Sequence, residues 1–164
     1  MTIHEEYQQA GLIHGHYCPG LAIGVRATVE GRNAVGNGED TLYCIAERSA
    51  CWLDGMSLIG ATVGNGKLKI RDTGKAAFSF YNAASGKSVR LVLKPGPAGM
   101  SREETTQWLL TAPLEEVFAV GETKVPFPEY QPGPGDVICS VCGESVMKTR
   151  AQLKNGAVVC CDCV

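Results

Sequence analysis

His14, Gly15, His16, Tyr17, Cys18, Pro19 and Gly20 place two imidazoles and a thiol within five residues, beside a proline and two glycines that fix the backbone. Imidazole nitrogen and thiolate sulfur form a natural donor set for zinc or another borderline-soft transition metal, and the thiol alone is a candidate nucleophile. A second donor set lies far along the chain. Cys139 and Cys142 make one CxxC pair and Cys160 and Cys163 another, with 17 residues between the pairs. That is zinc-ribbon spacing. Four thiolates suit a closed tetrahedral structural zinc, and Asn155 and Gly156 between the pairs are the usual two-residue turn of a hairpin. So small a unit has little apolar core, and metal binding supplies much of its folding free energy. Cys161 is left over as a spare thiol.

The elements that must position the first set can be read from caps and periodicity. Thr2 and Glu5 form a capping box that opens a first helix, interrupted near Gly15. Pro19 suits the first position of a second helix running to about Val29, which puts Cys18 at its N-terminus, where free amides and the helix dipole favour a thiolate. Thr41 to Ala46 is a β-rich run, and Ser49 is the expected cap of a helix from Ala50 to Ile59 that stops at Gly60. Cys51 would then start a helix as well. No second cysteine follows Cys18 at CxxC spacing, so simple thiol–disulfide exchange is disfavoured. Three further strand-like runs, 68–71, 76–81 and 88–93, suggest an antiparallel meander. Ser101 and Glu104 open another capped helix to about Thr111, and 118–125 reads as a last strand. The order is that of an α+β fold with roughly five strands flanked by helices, plus a small four-cysteine zinc finger.

Prolines and glycines between Pro126 and Gly135 mark a linker at 127–136, dividing a core of 1–126 from a finger of 137–164. The 164 residues are 45% hydrophobic and 20% charged, with a formal charge of −2. That balance gives no electrostatic footprint for nucleic acid, and the finger is only weakly basic. No apolar run is long enough to span a bilayer, and the polar first ten residues lack a signal peptide's apolar stretch, so a cytoplasmic location and no membrane partner are expected. The eight cysteines then point to metal and thiol chemistry rather than disulfides. Cys44, between Tyr43 and Ile45, reads as a buried inert thiol; His4 reads as surface, and Trp52 and Trp108 as packing residues. Gly64, Asn65 and Gly66 do not make a phosphate loop, because Leu68 follows Lys67 where serine or threonine is needed.

HGHYCPGLAIGVRA from His14 to Ala27, CWLDG around Cys51 and Asp54, Gly60 to Lys67, and Asp72, Gly74 and Lys75 resemble the formylmethanofuran dehydrogenase family FmdE over nearly the whole chain. The resemblance implies an α+β core with a five-stranded mixed sheet, a homodimer, and in some members a treble-clef zinc finger. It also implies a metal-dependent active site near the histidine and cysteine motif, with His14, His16, Cys18, Cys51 and Asp54 as the catalytic candidates. Where the family pattern GCTxGK is expected, this chain has Gly60, Ala61, Thr62, Val63, Gly64 and Asn65, so a thiol and a lysine are missing, the latter partly replaced by Lys67.

Two functional readings remain open. In one, the core is an enzyme, or part of one, in one-carbon metabolism, related to formylmethanofuran dehydrogenase. His16, Cys18 and Cys51 then hold a second zinc or other transition metal with a position open to substrate or water, and Asp54 or His14 orients a ligand or moves a proton. Its partners would be molybdenum or tungsten dehydrogenase subunits. In the other, the chain is a non-catalytic, zinc-stabilised protein-interaction module. The loss of a thiol at Ala61 tilts slightly towards the second.

Overall fold

Both capping boxes form. Thr2 accepts the amide of Glu5 while the Glu5 carboxylate accepts that of Thr2, opening α1 (Ile3–His14); Ser101 and Glu104 do the same for α4 (Arg102–Thr111). The computed structural model describes residues 1–36, 41–59, 61–127 and 135–164. They divide into two compact units, Met1–Phe127 and Pro128–Val164. Of the linker expected at 127–136, residues 128–134 lie outside the described residues, as does the expected helix stop at Gly60.

In the larger unit, α2 (Pro19–Val35) runs six residues past the end expected near Val29. Gly31 and Asn33 are poor helix formers, but the ring of Phe80 fills the space where a Cβ at Gly31 would stand, so tertiary packing overrides local propensity. Arg26 and Arg32 tie α2 to its neighbours. Arg26 donates to the carbonyls of Leu109 and Ala112 at 3.2 and 2.8 Å, putting a cation at the C-terminal end of α4, and Arg32 donates to Glu6 of α1 at 2.7 Å.

The sheet of this unit comprises β1 (Leu42–Ala46), β2 (Leu68–Ile70), β3 (Ala77–Asn82), β4 (Ser88–Leu93) and β5 (Phe118–Gly121), in the order β2-β1-β3-β4-β5. Only part of the expected meander survives. β3 and β4 pair antiparallel, but β2 pairs parallel with β1, which is inserted between β2 and β3. The cause lies in residues 71–74, which cross the end of β1 instead of turning a hairpin: the amides of Thr73 and Gly74 donate to the Glu47 carbonyl at 3.0 and 3.1 Å. The buried Glu47 carboxylate also accepts from Thr73 and, at 2.6 Å, from Arg90. A four-residue helix, α5 (Leu114–Val117), precedes β5, which ends at Gly121 rather than near Val125. Residues beyond it fold onto the sheet: Val125 accepts the Tyr81 hydroxyl at 2.6 Å, and Phe127 packs on Tyr43 and Tyr81.

Alternation along the strands sends Phe78, Phe80, Leu91 and Cys44 to the face under the helices, where they bury with Leu21, Val25, Met56 and Phe118. This continuous apolar cluster is the scaffold of the unit. Truncating one of its phenylalanines costs about 3–5 kcal/mol. The smaller unit holds two hairpins, β6 (Asp136–Ile138) with β7 (Ser145–Met147), and β8 (Gln152–Lys154) with β9 (Ala157–Val159). Asn155 and Gly156 form the expected turn, with φ of 52° and 81°. The α+β class, the five-stranded mixed sheet and the small four-cysteine cluster are thus all present. Among the described residues, no helix is long and apolar enough to cross a membrane.

Candidate functional site

Gly15 ends α1 by adopting a left-handed φ of 82°, which leaves His14 in the last helical turn. His14 Nδ1 lies 2.5 Å from the Asp54 carboxylate. An ionised carboxylate only accepts, so Nδ1 carries a proton, and in the neutral imidazole it is Nε2 that keeps the lone pair. That Nε2 is 3.8 Å from Cys18 Sγ. Cys18 is the N-cap of α2 in extended backbone: its sulfur accepts the Leu21 amide at 3.3 Å, and Pro19 follows at the first helical position. The intervening loop folds back on α1 through Tyr17, whose hydroxyl donates to the Gln8 carbonyl at 3.3 Å and whose ring covers Gly11.

Cys51 arrives from a different element. The expected helix from Ala50 to Ile59, capped by Ser49, is instead α3 (Trp52–Met56) followed by a 3₁₀ turn (Ser57–Ile59), with Cys51 at its N-cap and no side-chain cap bond. Trp52 makes the difference: its indole donates to the Arg48 carbonyl at 2.8 Å, holding the segment before Cys51 as a turn. Burial, and then contact with Cys18, push the Cys51 thiol above its ordinary range, so the short helix does not activate it. Three glycines bring it to Cys18. A Cβ on Gly24 would run into the Trp52 backbone, one on Gly55 would meet the backbone of Leu21 and Val25, and one on Gly20 would stand 3.1 Å from Cys51 Cβ. α2 and α3 therefore cross nearly backbone to backbone.

The outcome is a cluster in which ligand atoms of His14, His16, Cys18 and Cys51 all lie within 4.8 Å of one another. The donor spacing fits a metal. Zinc–sulfur and zinc–nitrogen bonds of about 2.3 and 2.0 Å give a tetrahedral S···N edge of about 3.5 Å, near the 3.8 Å Cys18–His14 separation. Asp54 stands behind His14 rather than among the four donors. Cys44 is fully buried in β1, where burial pushes its thiol up, and Ala61 is buried in the core with no donor to offer.

In the smaller unit, Cys139, Cys142, Cys160 and Cys163 bring their sulfurs equally close. Cys142 and Cys160 are 3.9 Å apart, near the roughly 3.8 Å S···S edge of a zinc tetrathiolate. Amides of Cys142, Cys160 and Val141 donate to Cys139 and bring its thiol down to about 6, while contact with Cys160 and burial push Cys163 up to about 12. Four thiols so close do not all ionise unaided, and a divalent cation removes that conflict. Cys161 is exposed, with its sulfur 3.7 Å from Asp162.

Gly24 and Gly55 had no place in the sequence-based set of site residues, although they set the distance between Cys18 and Cys51. Gly20 and Gly24, four residues apart on one helix face, were the available signal.

Comparison with known proteins agrees with both parts. Residues 13–119 match the family described as "FmdE, Molybdenum formylmethanofuran dehydrogenase operon", and residues 133–163 match "Prokaryotic dksA/traR C4-type zinc finger". A curated relative from Archaeoglobus fulgidus, named "Probable S-adenosyl-L-methionine-binding protein", is 28% identical over 184 aligned residues. The alignment covers 90% of this chain but 50% of that protein, so the chain spans about half its length. A crystal structure of a tungsten formylmethanofuran dehydrogenase FmdE-like protein from Syntrophus aciditrophicus superimposes with a TM-score of 0.74 at 22% identity. That superposition covers 98% of this chain and 91% of the other, and establishes likeness of fold.

Proposed function

This chain belongs to the FmdE family, and from that premise we propose that it is a metal-binding relative or accessory subunit of formylmethanofuran dehydrogenase, with a transition metal at the core cluster and a structural zinc in the finger. The observation that carries this reading is the convergence of His14, His16, Cys18 and Cys51 within 4.8 Å. A zinc or similar ion held there would supply Lewis acidity towards a carbonyl-type one-carbon substrate. The chain's own residues do the rest. Asp54 accepts a hydrogen bond from His14 Nδ1–H and so presents Nε2 to the cluster; the Leu21 amide aims the Cys18 sulfur the same way. Cys18 is buried, which excludes water from its side of the cluster, while exposed His16 marks the side open to a substrate.

Metal analysis tests the reading. The expected result is two metals per chain, with one lost in Cys18→Ala and in Cys51→Ala and both kept in Cys44→Ala. One metal per chain, unchanged by any of these substitutions, overturns it.

The interaction-module reading is favoured by a separate observation, the exposure of Ile138, Val141, Met147 and Leu153 in so small a unit. On that reading these side chains bind a partner protein, either a second copy in a homodimer or a dehydrogenase subunit. The two readings are compatible in one chain. S-adenosylmethionine is a further ligand to test, on the strength of the relative's name alone.

A further inference from the structure

We propose that His16 is the exchangeable ligand of the core site, and that a neutral nitrogen or carbonyl-oxygen donor of the substrate takes its place. This rests on the reading of the cluster as a metal site. It goes further by ranking the four donors.

Three of them are locked. His14, its side chain 10% exposed, is fixed through Nδ1 by Asp54. Cys18, 5% exposed, is held through its sulfur by the Leu21 amide and through its carbonyl by the Tyr7 hydroxyl at 3.4 Å and the Ala22 amide at 3.1 Å. Cys51 is half-buried, with its Cβ against Gly20 at the crossing of α2 and α3. His16 differs on each count. It is exposed, and among the described residues its ring makes no hydrogen bond; its contact is with the ring of His14, centroids 4.3 Å apart. A ligating histidine normally has its second nitrogen tied to a carboxylate or carbonyl, a support worth about 10- to 100-fold in affinity. His16 lacks that support.

The backbone beneath His16 does not depend on its imidazole. Gly15 sets the turn before it, and Tyr17 anchors the turn after it to Gln8 and Gly11. Displacing or deleting the ring thus leaves the loop in place. Charge decides what replaces it. The thiolates of Cys18 and Cys51 neutralise a divalent cation, and the Asp54 carboxylate adds negative charge next to His14. An anion in place of neutral His16 meets that excess; a neutral donor does not.

The test uses the full chain loaded with cobalt, with spectra taken as the difference from Cys18→Ala, in which the finger alone is loaded. His16→Gly is expected to keep core cobalt and its thiolate-to-cobalt absorption. Imidazole should then restore the wild-type visible bands saturably and bind more tightly than acetate. His14→Gly should lose core cobalt under the same conditions, with no rescue by imidazole. Loss of cobalt from His16→Gly without rescue, or equal rescue of His14→Gly, overturns the ranking, and acetate binding as well as imidazole overturns the neutral-donor assignment, each leaving the metal site intact. A wild-type core that takes up no cobalt overturns the metal-site reading itself, and the ranking with it.

Discussion

Among the described residues of the finger, the buried ones are Cys139, Val159 and Cys160, with Val146 and Cys163 packed against them, so the sulfurs are themselves most of the core. In the larger unit, Cys18 is one member of an apolar cluster running from Tyr7 to Phe118, and Cys51 packs against it. The two donor sets are equally compact, yet what assembles them is different. Besides a metal, the finger's sulfurs have two short hairpins and amide hydrogen bonds to Cys139 to hold them together, whereas a helix crossing, two helix ends and the His14–Asp54 hydrogen bond build the His/Cys cluster in advance. On the proposed reading, a metal therefore contributes folding free energy in the first and is a bound reagent in the second.

The largest effect expected from this difference is in the ligand substitutions. Cys160→Ser removes a share of a metal-binding free energy of about 10–16 kcal/mol, and the amide spectrum of residues 135–164 should collapse while that of 1–127 persists. Cys18→Ser keeps an N-cap oxygen for the Leu21 amide, so the core should lose its metal yet stay folded. Next in size is Gly24→Ala, whose added methyl meets backbone that cannot give way. It should cost the core about 3 kcal/mol by urea unfolding, weaken core metal binding and leave the finger's zinc unaffected.

A smaller change follows Asp54→Asn. The Asp54 side chain is 51% exposed, so the fold should be indifferent, but His14 loses a charged, acceptor-only partner for an amide that can present NH2 as well as oxygen, and core metal affinity, measured by competition with a chelator, should fall about 10- to 100-fold. The smallest effect is in acid. The Arg90 hydrogen bond, aided by Thr73, holds the Glu47 carboxyl below its ordinary range despite burial. Its contribution to stability is therefore full above about pH 4.3 and lost as pH falls through the lowered value. The core's urea midpoint should decline over that window.

What could be read in advance was what a few neighbouring residues decide. Thr2 with Glu5, Ser101 with Glu104, Cys18 before Pro19, Asn155 with Gly156, and the paired CxxC motifs each carry their structure within a short window. The parallel pairing of β2 was hidden because it depends on Glu47, over twenty residues away, capturing the loop at Thr73 and Gly74. The length of α2 was hidden because Gly31 looks like a stop until Phe80 is placed against it. At the site, the residue types around His14 were legible. The approach of Cys51 was not, since it depends on Gly20, Gly24 and Gly55 meeting across two helices.

The most direct test is an amide NMR titration of the metal-stripped chain with zinc. The prediction is that residues 1–127 are dispersed from the start, that one equivalent restores residues 135–164, and that a second equivalent shifts only resonances around His14, His16, Cys18, Cys51 and Asp54. A second equivalent that shifts nothing there, or a larger unit that is unfolded until zinc is added, would contradict the account.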